Sequence, residues 1–161
     1  MEGFDISVFD LIGGLPIHPL VVHGVVVLFP LFALYLIYAI LKDKYVLRQS
    51  YILLMSAVIS VMAFASNQSG EVLASRVGLD ATHALYGKIT TALAGAIFLI
   101  NLAYWLLGSR LTSSFRRLAR MSLIVLSVVS LAMVVLVGHS GATSVWEKKI
   151  AGTHVGDHPT E

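Results

Sequence analysis

The chain has 161 residues, of which 57% are hydrophobic and 12% charged, with 11 Lys plus Arg against 9 Asp plus Glu. A soluble domain usually carries roughly 25% charged residues, so this balance excludes an ordinary soluble domain and points to a single membrane domain. With no cysteine, disulfides, iron–sulfur ligation by this chain and a covalent c-type haem, which needs Cys-x-x-Cys-His, are also excluded.

In chain order, residues 1–15 read as a leader outside the membrane, expected to form a short interfacial helix. Glu2, Asp5 and Asp10 stand where a signal peptide would carry basic residues. The membrane domain covers residues 16–146, with apolar stretches at about 20–41, 51–68, 84–107 and 121–138. A span needs about 20 mostly apolar residues, and the second stretch reaches the short limit of roughly 17 only by running on through Asn67 and Gln68. Backbone in lipid must satisfy its own hydrogen bonds, so each span is a helix. Four short-linked helices predict an all-α, four-transmembrane-helix up-down bundle. Pro30 cannot donate to the carbonyl of Val26 and predicts a kink in span one. Residues 147–161 read as a polar tail.

Charge sets the expected orientation. Lys42, Lys44 and Arg48 lie between spans one and two; Arg110, Arg116, Arg117 and Arg120 lie between spans three and four. Of the acidic residues only Asp43 shares that side. The positive-inside rule then places both basic loops in the cytoplasm and both termini outside, as a multi-pass protein of the bacterial inner membrane. Tyr104, Trp105 and Trp146 fit the interfacial belts. The basic loops are topology signals rather than nucleic-acid sites, since no stretch interleaves basic and aromatic residues.

All six histidines fall on the outer side of this arrangement: His18, His23, His83, His139, His154 and His158. Three spans thus bring imidazoles to one depth. Ionisable groups in spans usually face the bundle interior and mark function, and imidazole is the commonest metal ligand. His18 precedes Pro19 at the mouth of span one and reads as a helix-start residue or a group supporting a ligand. His139 also fits a plain headgroup position. His23 and His83 need a polar partner or a metal, and spans one and three are diagonal in an up-down bundle. His23 with His83 is therefore the first expected ligand pair, and His139 with His83 the second.

Along span three, His83, Gly87, Thr91 and Gly95 share one face. Small residues at that spacing admit a close helix, or leave room at Gly87 for a flat macrocycle. Ser56, Ser60 and Asn67 in span two read as interhelical glue. Glu71 and Lys88 are expected to pair, although Lys88 and Arg76 could instead meet haem propionates. His154 and His158 in the tail read as solvated.

Three segments resemble a bacterial membrane family called domain of unknown function 2231. "IHPLVVH" is similar to its opening H-P-x-x-V-H, although Gly24 follows His23 where the family commonly has Phe-Pro. "SGEVLASRVGLDATHALYGKIT" resembles its Gly-Glu pair, here Gly70 and Glu71, followed by the histidine and glycine seen here as His83 and Gly87. "VGHSGATSVWEKKI" resembles its closing G-x-x-G-G and aromatic residue, here Gly138, Gly141, Ala142 and Trp146. The resemblance implies a four-helix membrane domain. Members are sometimes joined to Rieske or cytochrome c domains, which implies redox company.

Three functions remain open on these residues. The first is a small b-type cytochrome, with haem b ligated by histidine and electrons passing between the quinone pool or a respiratory complex and an outer-side carrier. Two axial imidazoles leave no position for substrate, which favours transfer over catalysis. The second is a zinc or copper site built from His18, His23, His83 and His139. The third is a non-catalytic accessory subunit of a membrane complex. No nucleophile–base pair or second carboxylate stands near the spans, so the chain is not expected to be an enzyme.

Overall fold

The computed structural model describes residues 9–78 and 80–153, Lys148 by its backbone alone. Residues 1–8 of the expected leader lie outside the described residues, and residues 9–15 do not form the interfacial helix expected of it. Residues 9–16 make a tight hairpin, β1 (Leu11–Ile12) against β2 (Leu15–Pro16), with Ile12 opposite Leu15. Gly13 and Gly14 form its two-residue turn at φ +58° and +81°. A primed hairpin turn needs positive φ at both central positions, which glycine adopts without a steric penalty. The Ile17 amide donates to the Asp10 carbonyl at 3.0 Å, so the hairpin hands the chain directly to the first helix.

Four helices follow: α1 (Ile17–Leu41), α2 (Gln49–Val77), α3 (Ala81–Leu107) and α4 (Ser113–Ile150). All four are long and apolar enough to cross a membrane. They outrun the apolar stretches because polar side chains at a helix end can be solvated while the backbone stays helical. Their limits are set by local chemistry. Asp80 caps α3 by accepting from the His83 amide at 2.7 Å, and Thr112 caps α4 by accepting from Phe115. Gly78 ends α2 at φ +89°. α1 starts at Ile17, so Pro19 sits in the first turn, where a missing N–H costs nothing. α1 runs through Pro30 as one unbroken helix. Residues 147–150 of the expected tail belong to α4.

Each helix packs against two neighbours: α1 on α2 and α4, α3 on α2 and α4. α1 and α3 are therefore diagonal. Phe29, Leu36, Ile52, Ile97 and Leu123 fill the centre. Leu31, Leu34, Val61, Leu99 and Val135 point outward, as expected where lipid and not water surrounds the bundle. Two hydroxyls bond across the α2–α3 seam: Ser60 donates to the Ala94 carbonyl at 2.9 Å and Thr91 to the Ala63 carbonyl at 3.2 Å. The glue reading of Ser60 therefore stands, and Thr91 joins it.

At the end of the bundle that carries the basic loops, Tyr45 is fully buried although it lies in the α1–α2 connection. Its hydroxyl donates to Asn101 Oδ1 at 2.7 Å, and its ring meets Tyr104 edge-on at 4.9 Å. Arg120 lies over the Tyr45 ring and pairs with Asp43 at 3.3 Å. One loop residue thus ties α1, α3 and α4 together.

Candidate functional site

The opposite end of the bundle carries the histidines. The hairpin and the first turn of α1 set His18. Its Nδ1 lies 2.9 Å from the Ser66 carbonyl of α2. A carbonyl only accepts, so Nδ1 carries the proton and Nε2 keeps its lone pair. The Asp80 cap starts α3 and sets His83 within the first turn. His83 Nδ1 lies 3.1 Å from Ser140 Oγ on α4, while that hydroxyl donates its proton to the Val137 carbonyl at 3.0 Å. With its proton committed, Ser140 accepts from His83, which again leaves Nε2 unprotonated. Both imidazoles therefore present the same free nitrogen, fixed by a bond at the other. Metal-ligating histidines are commonly oriented in this way.

The two rings stand edge to plane, with centroids 6.3 Å apart and an interplanar angle of 85°. Each rests on a glycine. A Cβ at Gly70 of α2 would lie 2.9 Å from His18 Cε1, and one at Gly141 of α4 would lie 3.0 Å from His83 Cε1. Four helices thus meet at one histidine pair: α1 and α3 supply the rings, α2 and α4 the hydrogen-bond acceptors and the space.

The pair lines a mostly apolar cleft of about 530 Å³, within the roughly 300–1,000 Å³ of small-molecule and cofactor sites. His23, Gly87 and Lys88 also line it. The partner that His83 meets is His18, not His23. His23 is exposed and its Nδ1 bonds the Pro19 carbonyl of its own helix. His139 is exposed, and neither it nor Arg76 lines the cleft. Gly87 has open space beside it, since a Cβ there would meet nothing within 4 Å. His154 and His158 lie outside the described residues.

The charged groups pair as expected or nearly so. Lys88 reaches Glu71 at 3.4 Å. Arg76 instead clasps Asp10 through two nitrogens, which ties the hairpin to the last turn of α2. The guanidinium beside it holds the Asp10 carboxyl below the usual carboxylate range. Among the described residues, no three His, Asp or Glu side chains gather as a metal ion would need.

Sequence reasoning passes over Ser66, Ser140, Gly141 as a ring support, and the Tyr45–Asn101 bond. An asparagine within an apolar span was the available signal for that bond, since such a residue must find a partner. Nothing local marks the two serines, whose role depends on which helix faces which.

Fold and site define a four-helix membrane protein with a paired-histidine cleft at one end of the bundle. Residues 14–154 match the family described as "Predicted membrane protein (DUF2231)", and the chain belongs to that family. No curated protein and no solved structure matches it.

Proposed function

We propose that the protein is a b-type cytochrome of the bacterial inner membrane, holding haem b between His18 and His83 and carrying electrons rather than catalysing a reaction. The observation that carries this reading is the ring pair. Two imidazoles on opposite sides of one iron have centroids roughly 6 Å apart, from about 2.0 Å per metal–nitrogen bond plus the ring radius on each side. His18 and His83 are separated by 6.3 Å and stand edge to plane, so on ligation one ring would turn to bring its in-plane Nε2 lone pair toward the iron. Ser66 and Ser140 hold each Nδ1, orient the rings and leave Nε2 as the ligand atom. Haem supplies one-electron redox chemistry when bound, and two histidine ligands leave no open position for a substrate.

The residues present favour haem over a protein-only metal site. A structural zinc site takes four protein ligands, and the described side chains offer no cluster of three. Gly87 and the apolar cleft walls suit a flat macrocycle, and Lys88 at the cleft is the nearest cation for a propionate once it leaves Glu71. The positive-inside rule places this end outside, so the electron partners are a quinone or respiratory complex and an outer-side carrier.

The test is the optical spectrum and metal content of the detergent-purified protein. A reduced-minus-oxidised b-haem spectrum is expected, lost in His18→Ala and in His83→Ala but kept in His23→Ala. Stoichiometric zinc or copper without haem overturns the reading. A colourless, metal-free protein also overturns it and leaves an accessory subunit.

A further inference from the structure

The other end of the bundle carries a second cavity, of about 280 Å³, in the crevice between the last turn of α1 and the first turns of α4. Its lining consists of Ile40, Ser113, Arg116, Arg117, Arg120 and Met121. Three of these six are arginines and none is acidic. Ser113, Arg116, Arg117 and Arg120 follow at helical spacing, so they share one side of α4. Two of the guanidinium groups are already held in place. Arg116 donates to the Gly108 carbonyl at 3.3 Å, and Arg120 pairs with Asp43 and donates to the Tyr104 hydroxyl at 3.4 Å. Arg120 Nε is nevertheless buried without an acceptor among the described residues. A cation partly withdrawn from water beside a positive cavity gains from an anion there.

We infer that this cavity binds the phosphate of an anionic glycerophospholipid. Guanidinium forks match phosphate oxygens, and basic pockets between membrane helices take lipid headgroups of this kind. The apolar surroundings decide for a lipid over a free ion. Ile40 and Met121 line the cavity itself, and Leu41, next to Ile40 at the end of α1, is exposed at 67%. Acyl chains would cover that surface while the headgroup is held by arginine. The arginines therefore do more than set topology: they fix one lipid against the α1–α4 seam. This inference is independent of what the histidine end holds.

The test is thermal unfolding of the full chain in neutral detergent, titrated with phosphatidylglycerol, phosphatidylcholine or inorganic phosphate. Phosphatidylglycerol is expected to raise the unfolding temperature and phosphatidylcholine is not. In Arg116→Gln/Arg117→Gln the concentration giving half the shift should rise about fivefold for each arginine removed. Lys149→Gln, at the other end of α4, should leave it unchanged. If the double variant fails to fold, Arg117→Gln alone, at an exposed position, carries the same fivefold expectation. Equal shifts from both lipids, or an unmoved midpoint in the variant, overturn the inference. An inorganic phosphate titration that reproduces the shift overturns the lipid assignment in favour of a soluble phosphate compound.

Discussion

His18 and His83 stand edge to plane across the diagonal of the bundle, 6.3 Å between centroids, and each lies against a glycine of a different helix. The pair is therefore held by shape as well as by hydrogen bonds. Neither ring can move toward its supporting helix, and each Nδ1 is engaged by a neighbour.

Gly70→Ala and Gly141→Ala should each disturb the pair: the new methyl would lie 2.9 Å from His18 Cε1, closer than real contacts come, and 3.0 Å from His83 Cε1, tight enough that the ring must shift. An inserted methyl in a packed site costs about 1–3 kcal/mol. In the haem-free protein, Gly87→Ala should be neutral, or stabilising by about 0.5–1 kcal/mol, since open space surrounds that position. Thermal unfolding of the three variants in one detergent separates these outcomes; a Gly87 variant as damaged as the other two would contradict the ring-support account.

Ser140→Ala should leave the fold intact but free the His83 ring. The hydroxyl accepts from Nδ1, so its loss removes one hydrogen bond, worth about 0.5–1.5 kcal/mol. The informative reading is the chemical shift of the His83 ring nitrogens in labelled protein. Nδ1 protonation in the parent and a mixture of tautomers in the variant are expected.

Asp10 and Arg76 give the hairpin a pH dependence whose sign is fixed. The folded carboxyl titrates below its ordinary value because Arg76 bonds it. The clasp is therefore fully present above about pH 4, the ordinary carboxyl value, and is lost as pH falls through the lower folded value. The protection of the Ile17 amide against hydrogen exchange, taken as intrinsic over observed rate at each pH, should be high at neutral pH and fall as pH drops below the ordinary carboxyl value. In Asp10→Asn that protection should be lower at neutral pH.

Tyr45→Phe tests the lock at the basic end. It leaves Asn101 Oδ1 buried and unpaired, a loss of about 1–3 kcal/mol. Burial pushes the Tyr45 phenol well above its usual value, so the hydroxyl stays protonated and donating throughout the working range. An unfolding temperature unchanged from the parent would show that the hydroxyl contributes little.

The sequence by itself determined four helices, their approximate spans, the gathering of histidines at one end and the Glu71–Lys88 pair. These follow from composition, from the length of apolar runs and from residues that are near each other once the helices alternate in direction. It did not determine the hairpin: residues 9–15 belonged to a leader expected to form a short interfacial helix, and there the turn chemistry of Gly13–Gly14 decided otherwise. Nor did it determine which histidine of α1 meets His83. His18 and His23 are five residues apart, which turns them about 140° from each other on an α-helix, so one facing α3 sends the other elsewhere. An apolar stripe would have shown which face turns inward, but α1 is apolar all round and carries no stripe. Packing against α2 and α4 settled the rotation. It put His18 on Gly70 and His83 on Gly141, and left His23 at the margin of the cleft.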